Sequence, residues 1–181
     1  MHIAAGKIKR IANGSFRSIV VHQDQVYAAD SEKCQTQVFQ YKEASSPAEW
    51  LQLRSIDHDF NAKGSTLTLS ISNNQLKCCS DVDDSIKVYS LSGELLQTHG
   101  TSGRGDAGLY SPYISDDDDD GSVLIADRLN NRLQVMSEQG EFSVLQSQPR
   151  VSGPSSAVLF NNQLYVMSDS YINSKVCKYS C

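Results

Sequence analysis

Four stretches of this chain repeat one pattern, and that pattern sets the fold. They are SIVVHQDQVYAAD (18–30) followed by VFQY (38–41), LSISNNQLKCCSD (69–81) followed by IKVY (86–89), YISDDDDDGSVLIAD (113–127) followed by LQVM (133–136), and AVLFNNQLYVMSD (157–169) followed by KVCKY (175–179). Each reads as a short strand, a polar turn, a strand ending in Asp, a polar loop and a further strand. The Asp anchors Asp30, Asp81, Asp127 and Asp169 are 51, 46 and 42 residues apart. A period in the forties with about four strands per unit is the signature of a β-propeller blade. Fourth strands are predicted at Leu51–Ile56, at Glu94–Thr98 after Ser92-Gly93, and at Glu141–Leu145 after Gln139-Gly140. The last unit carries three strands, and a spare strand is predicted near Lys7–Ala12. Three strands at one end plus one at the other is how a propeller closes its ring, because open strand edges invite mispairing. The expectation is an all-β propeller over residues 1–181, built of about four four-stranded blades. It forms either a small closed ring or an arc of a larger one.

Composition agrees with this reading. The 181 residues are 39% hydrophobic and 20% charged, with a mean hydropathy of -0.38, which is ordinary for a packed water-soluble chain. A helical solenoid is excluded, because apolar residues alternate instead of recurring every three to four. One helix start is legible, Ser46-Pro47-Ala48-Glu49, with an N-cap, a Pro at the first helical position and a capping-box Glu. The next residues, Trp50–Ile56, alternate, so one helical turn leading into a strand is expected. Apolar runs reach only four residues, as in Val123–Ala126, far short of the ~20 that a membrane helix needs. The first ten residues lack the apolar core of a secretory signal. The cysteines Cys34, Cys78, Cys79, Cys177 and Cys181 are odd in number and contain no C-x-x-C pair. They read as buried free thiols in a reducing compartment, and the expected location is cytoplasmic. A net charge of -5 argues against DNA and against bulk nucleic-acid binding, which needs a basic face.

The third unit carries more than propeller character. Gly100, Gly103 and Gly105 precede Pro112; Asp120-Gly121 makes a turn; Asp127 ends a strand; Asn130, Arg132, Gln134 and Val135 open the next; and Gly140 turns the chain. This unit resembles an NHL repeat, with Asn131 standing where the name-giving His is usual. The second unit is similar through Asp81, the strand Ile86–Tyr89 and Ser92-Gly93-Glu94; the fourth keeps Pro154 and Asp169; the first keeps Asp30 and its strands. The resemblance implies a β-propeller, usually of six blades, often found at the C-terminus of tripartite-motif ubiquitin ligases. Ligase chemistry belongs to zinc-binding RING and B-box modules, whose Cys/His clusters these residues lack. Other members of the family bind RNA or protein on one propeller face.

Candidate chemistry is sparse. The recurring Asp could line a channel and hold a metal, as in calcium-dependent six-bladed hydrolases. A short acceptor repeated in every blade fits the satisfaction of loop donors better, and that is the expectation. Asp116, Asp118, Asp120 and Gly121, with Asp127 in twelfth place, match a calcium loop formally, but no helix flanks them; a solvated acidic hairpin turn is expected. Arg104-Gly105-Asp106 spells an adhesion tripeptide inside a Gly-rich inter-blade loop and is read as coincidence. None of His2, His22, His58 and His99 has a metal-ligand or nucleophile-elbow spacing. What remains is surface: the loops after each second strand and between blades share one face, presenting Arg104, Tyr110, Arg128, Asn130, Asn131, Tyr171 and Asn173. Arg and Tyr are enriched where interfaces draw their binding energy. The expected function is a non-enzymatic protein-interaction propeller, the substrate-recognition part of a tripartite-motif-like ligase, with no cofactor or metal and no membrane contact. An RNA-binding propeller and a calcium-dependent hydrolase are the alternatives.

Overall fold

The computed structural model describes residues 11–42, 49–60, 63–117, 120–145, 151–161, 163–169 and 174–180. The first blade is β1 (Phe16–His22), β2 (Gln25–Asp30), β3 (Gln35–Lys42) and β4 (Glu49–Asp57). The second is β5 (Leu67–Ser72), β6 (Gln75–Ser80), β7 (Ile86–Ser90) and β8 (Leu95–His99). Two short strands, β9 (Thr101–Ser102) and β10 (Gly108–Leu109), pair in parallel within the connecting loop. The third blade is β11 (Pro112–Asp117), β12 (Val123–Asp127), β13 (Arg132–Met136) and β14 (Phe142–Leu145). The fourth is β15 (Pro154–Phe160), β16 (Gln163–Asp169) and β17 (Ser174–Ser180). Within every blade the strands pair in sequence order and antiparallel. The chain is therefore an all-β propeller of four blades, as its repeat predicts. The predicted helical turn lies outside the described residues except for Glu49, which begins β4. Of the predicted spare strand only Ile11 and Ala12 are described, and neither is in a strand.

The core lies between blades, because each sheet is apolar on both faces. Tyr27, Ala29, Val38 and Ile56 of the first blade meet Leu67, Leu69, Ile71, Leu76 and Cys78 of the second. Cys79 and Ile86 meet Ile114, Val123, Ile125 and Met136 of the third. Leu124, Ala126 and Leu133 meet Ala157, Leu164 and Val166 of the fourth. Two faces that must both exclude water explain why β2, β6 and β12 are buried nearly throughout. The outermost strands cover one side only, and β8 is exposed over Leu95–Thr98. Close approach between neighbours is built in at Gly140, where φ is +85° and a Cβ would overlap the His99 ring.

Among the described residues no packing of comparable extent joins the fourth blade to the first. Among the described residues the four blades form an arc; the spare strand on which a small closed ring would depend lies outside them except for Ile11 and Ala12.

Register corrects the anchors. Asp30 stands opposite Phe16, Ser80 opposite Leu67, Asp127 opposite Pro112 and Ser168 opposite Pro154. Asp30 and Asp127 are thus true equivalents. Asp81 and Asp169 each fall one residue later, with a serine in the anchor place.

Candidate functional site

Among the described residues, the loops that follow a second strand and the inter-blade loops emerge along one edge of the arc. The hairpin turns, including the acidic one before β12, emerge along the other. The loop edge of the third blade is organised by one carboxylate. Asp127, fully buried, accepts from the Tyr110 backbone N–H at 2.8 Å and from the Gln134 amide at 3.0 Å. It also accepts from the Asn130 amide at 2.9 Å and forms an ion pair with Arg132 Nε at 2.8 Å. Arg132 donates onward to the carbonyls of Gly105 and Gly108 at 2.9 and 2.7 Å, and Asn130 to that of Gly103 at 2.8 Å. The Leu129 N–H donates to Tyr110 O at 3.0 Å. A 3₁₀ turn, Arg128–Asn130, closed by Asn131 in the left-handed region, completes the frame. The anchor is structural, as expected, and its donors come from side chains as well as loop backbone.

This network gathers the predicted surface. Arg104, Tyr110 and Asn131 are exposed and Arg128 is half-buried along one stretch of the loop edge. Asn130 and Asn131 also hold the fold: Asn130 binds Asp127, and Asn131 Oδ1 accepts from the Gly153 N–H at 2.8 Å. Leu129, 48% exposed, belongs to the same patch and was missed, since a lone Leu in a turn gives no sequence signal. Tyr171 and Asn173 lie outside the described residues.

A second cluster on this edge, between the first and second blades, was also missed. Lys87 is buried, lies 4.6 Å above the Phe60 ring centre, donates to the Asp59 carbonyl, and approaches the carboxylates of Asp83 at 3.7 Å and Asp59 at 3.9 Å. His58 Nε2 and the Thr36 hydroxyl are 2.8 Å apart, while His58 Nδ1 is buried without a partner. Burial, and then the Lys87 charge, pull the His58 pKa down to about 4. Burial pushes the Cys34 and Cys78 thiols up, and Cys79 to about 11. A neutral imidazole and protonated thiols are the opposite of an activated Cys–His pair, which needs a depressed thiol. Cys34, Cys78 and Cys79 pack as small apolar groups, as expected, whereas Cys177 is half-buried and Cys181 lies outside the described residues.

Asp127, the twelfth residue of the formal calcium loop, directs its oxygens to Tyr110, Asn130, Arg132 and Gln134 at the loop edge. Asp116 and Asp117 belong to β11, Asp118 and Asp119 lie outside the described residues, and Asp120 is exposed. Hydrogen bonds from the Ser122 side chain and backbone hold the Asp120 carboxyl below its ordinary range. Among the described residues, no three His, Cys, Asp or Glu side chains are grouped so as to hold a metal ion, and no helix is long and apolar enough to cross a membrane.

Fold and loop edge together define a β-propeller with a polar, pre-organised face. No protein-family model and no curated protein matches the chain. Solved structures resemble it in shape. Virginiamycin B lyase from Staphylococcus aureus matches with a TM-score of 0.59 at 12% identity, over 92% of this chain and 56% of that one. A chain of the nidogen/laminin complex matches with a TM-score of 0.61 at 14% identity, over 90% of this chain and 60% of that one. The computationally designed Ika4 protein matches with a TM-score of 0.61 at 12% identity, over 97% of this chain and 100% of that one. The chain spans about half the length of the lyase. These likenesses extend to the fold alone. They still correct one expectation. The sequence reads as non-enzymatic because it lacks catalytic motifs, yet propellers of this shape include an enzyme. Missing motifs are therefore no ground for excluding catalysis on this fold.

Proposed function

We propose that residues 1–181 act as one protein-binding propeller unit whose contact surface is the loop edge, with Arg104, Tyr110, Arg128, Asn130, Asn131, Tyr171 and Asn173 facing the partner. One observation carries the reading: the Asp127–Arg132 network holds the 103–111 loop and the 128–131 turn together. Large side chains are thereby presented from a frame whose ordering is complete before binding, which lowers the entropic cost of association. A propeller of similar shape in the nidogen/laminin complex supports partner binding in general. The NHL-like motif of the third blade supports the finer reading, in which the partner is a substrate of a tripartite-motif-like ligase in the cytoplasm.

The test is a pull-down from cytosol with the parent chain, Tyr110→Ala and Arg128→Ala. Each variant is expected to bind the recovered protein about tenfold more weakly, on the order of 1–2 kcal/mol, with its melting curve unchanged. Asp120→Asn, on the opposite edge, should bind as the parent does. Recovery of RNA, with affinity falling steeply as salt rises, would sink the protein-partner reading.

A further inference from the structure

The two ends of the arc carry the same faces that the interior junctions bury, and among the described residues nothing packs on them. Four residues share one register position on the first strand of each blade: Ile19, Leu69, Ile114 and Ala157, paired with Ala28, Cys78, Ile125 and Val166. Leu69, Ile114 and Ala157 are 7%, 7% and 3% exposed beneath the preceding blade, whereas Ile19 is 66% exposed. Around Ile19 lies an apolar groove of about 450 Å³, lined by Ile11, Phe16, Val26, Ala28 and Phe39.

The other end mirrors this. Ala29, Cys79, Ala126 and Met167 share the position that faces the following blade. The first three are 0% exposed, and Met167 is 42% exposed. Val158, Phe160 and Val176 are exposed with it on that face. An apolar sheet face left open on this scale marks an association surface.

We propose that a second copy of this chain covers both ends, head to tail, closing one ring of eight blades. Every interior junction sets the first-strand face of one blade on the face of the blade before it, so the end faces continue an interface used three times inside the chain. Each copy has one face of each kind left over, and two copies satisfy all four with two identical junctions. A partner with a single blade-like face would cover one end and leave the other open. A head-to-tail contact closes into a ring when its rotation allows and otherwise runs on as a filament.

The experiment is sedimentation equilibrium of the full 181-residue chain across a dilution series, with light scattering. The expected mass is twice 19.9 kDa. Ile19→Glu and Phe160→Glu alter side chains that are exposed in the single arc, so each should keep the parent's far-ultraviolet circular dichroism. Each should also halve the mass, because each spoils both junctions of the pair. Mixing the two variants leaves one junction intact and should recover a dimer weaker than the parent. A monomeric parent, an open-ended polymer, or one variant that stays dimeric while the other does not would overturn the proposal. The last result would mean a face-to-face contact between like ends.

Discussion

The second and third blades solve the same problem in different ways. In the third, the end of the central strand is Asp127, and its partners Asn130, Arg132 and Gln134 come from the next eight residues. In the first blade Asp30 and Gln37 repeat the pair at the same spacing, 3.0 Å apart. In the second blade those two positions are Ser80 and Lys87. Ser80 donates its hydroxyl to Ser65 at 3.0 Å, and Lys87 reaches across the junction to Asp59 and Phe60 of the inter-blade segment. Both blades hold the inter-blade segment that precedes them: the third through a buried carboxylate whose partners Asn130 and Arg132 reach the carbonyls of Gly103, Gly105 and Gly108, the second through a buried lysine. The polar residues that make the third unit look like an NHL repeat are therefore one hydrogen-bonded device. A blade that departs from the motif keeps the strands but holds its preceding segment with a lysine in place of the carboxylate network.

Breaking the local device should have the largest effect. Asp127→Ala leaves the Arg132 guanidinium and the Gln134 amide without their acceptor, and the expected loss is about 3–5 kcal/mol in urea unfolding. Asp30→Ala strands Gln37 and the Lys33 N–H and removes an ion pair with the exposed Lys33 ammonium, for about 1–3 kcal/mol. Equal losses at the two sites would mean that the additional partners of Asp127 contribute nothing.

The cross-junction device should respond to acid. The His58 pKa is about 4 in the folded chain and about 6.5 once exposed, so the unfolded state takes up the proton first. Stability should fall as pH drops from about 6.5 through 4, by up to about 3 kcal/mol, and be unaffected by this group above that window. His58→Gln should flatten this part of the pH profile, while Asp127→Ala should not.

A smaller effect is expected at the lysine itself. Lys87→Met keeps the buried stem and removes the charge, for about 1–2 kcal/mol. It should also raise the His58 pKa, read by NMR titration of the ring, because the Lys87 charge is one of the two causes of the depression. An unmoved titration would show that burial alone sets it. Smallest of all, Asp120→Asn in the acidic turn should leave the melting temperature where it is, and millimolar calcium should not raise that of the parent. A calcium-dependent rise lost in the variant would identify a bound ion, since a ligand of the native state must stabilise it.

Local chemistry made much of this molecule legible in its sequence. Alternating apolar residues between Asn-Asn, Asp-Gly and Ser-Gly turns specify strands and hairpins, because side chains on a strand alternate faces and turns need residues that tolerate their backbone angles. The period near 45 residues then specifies blades, and the clustered Asp127, Asn130, Arg132 and Gln134 of the third unit mark the side-chain half of its loop edge, since these four lie within eight residues of one another. Tertiary structure decided what depends on register and on distant neighbours. Asp81 accepts a loop N–H as the pattern predicts, from Thr66 at 2.9 Å, yet Ser80 holds the register position of Asp127, because a one-residue offset between two polar residues shows only in strand pairing. The meeting of Lys87 with Asp59 spans 28 residues, and neither residue carries a mark of the other. Nor does the sequence distinguish Ile19 from Leu69: both are apolar at the same blade position. One is buried and the other open because, among the described residues, a blade packs against the second and none against the first, and burial is a property of the neighbour rather than of the residue.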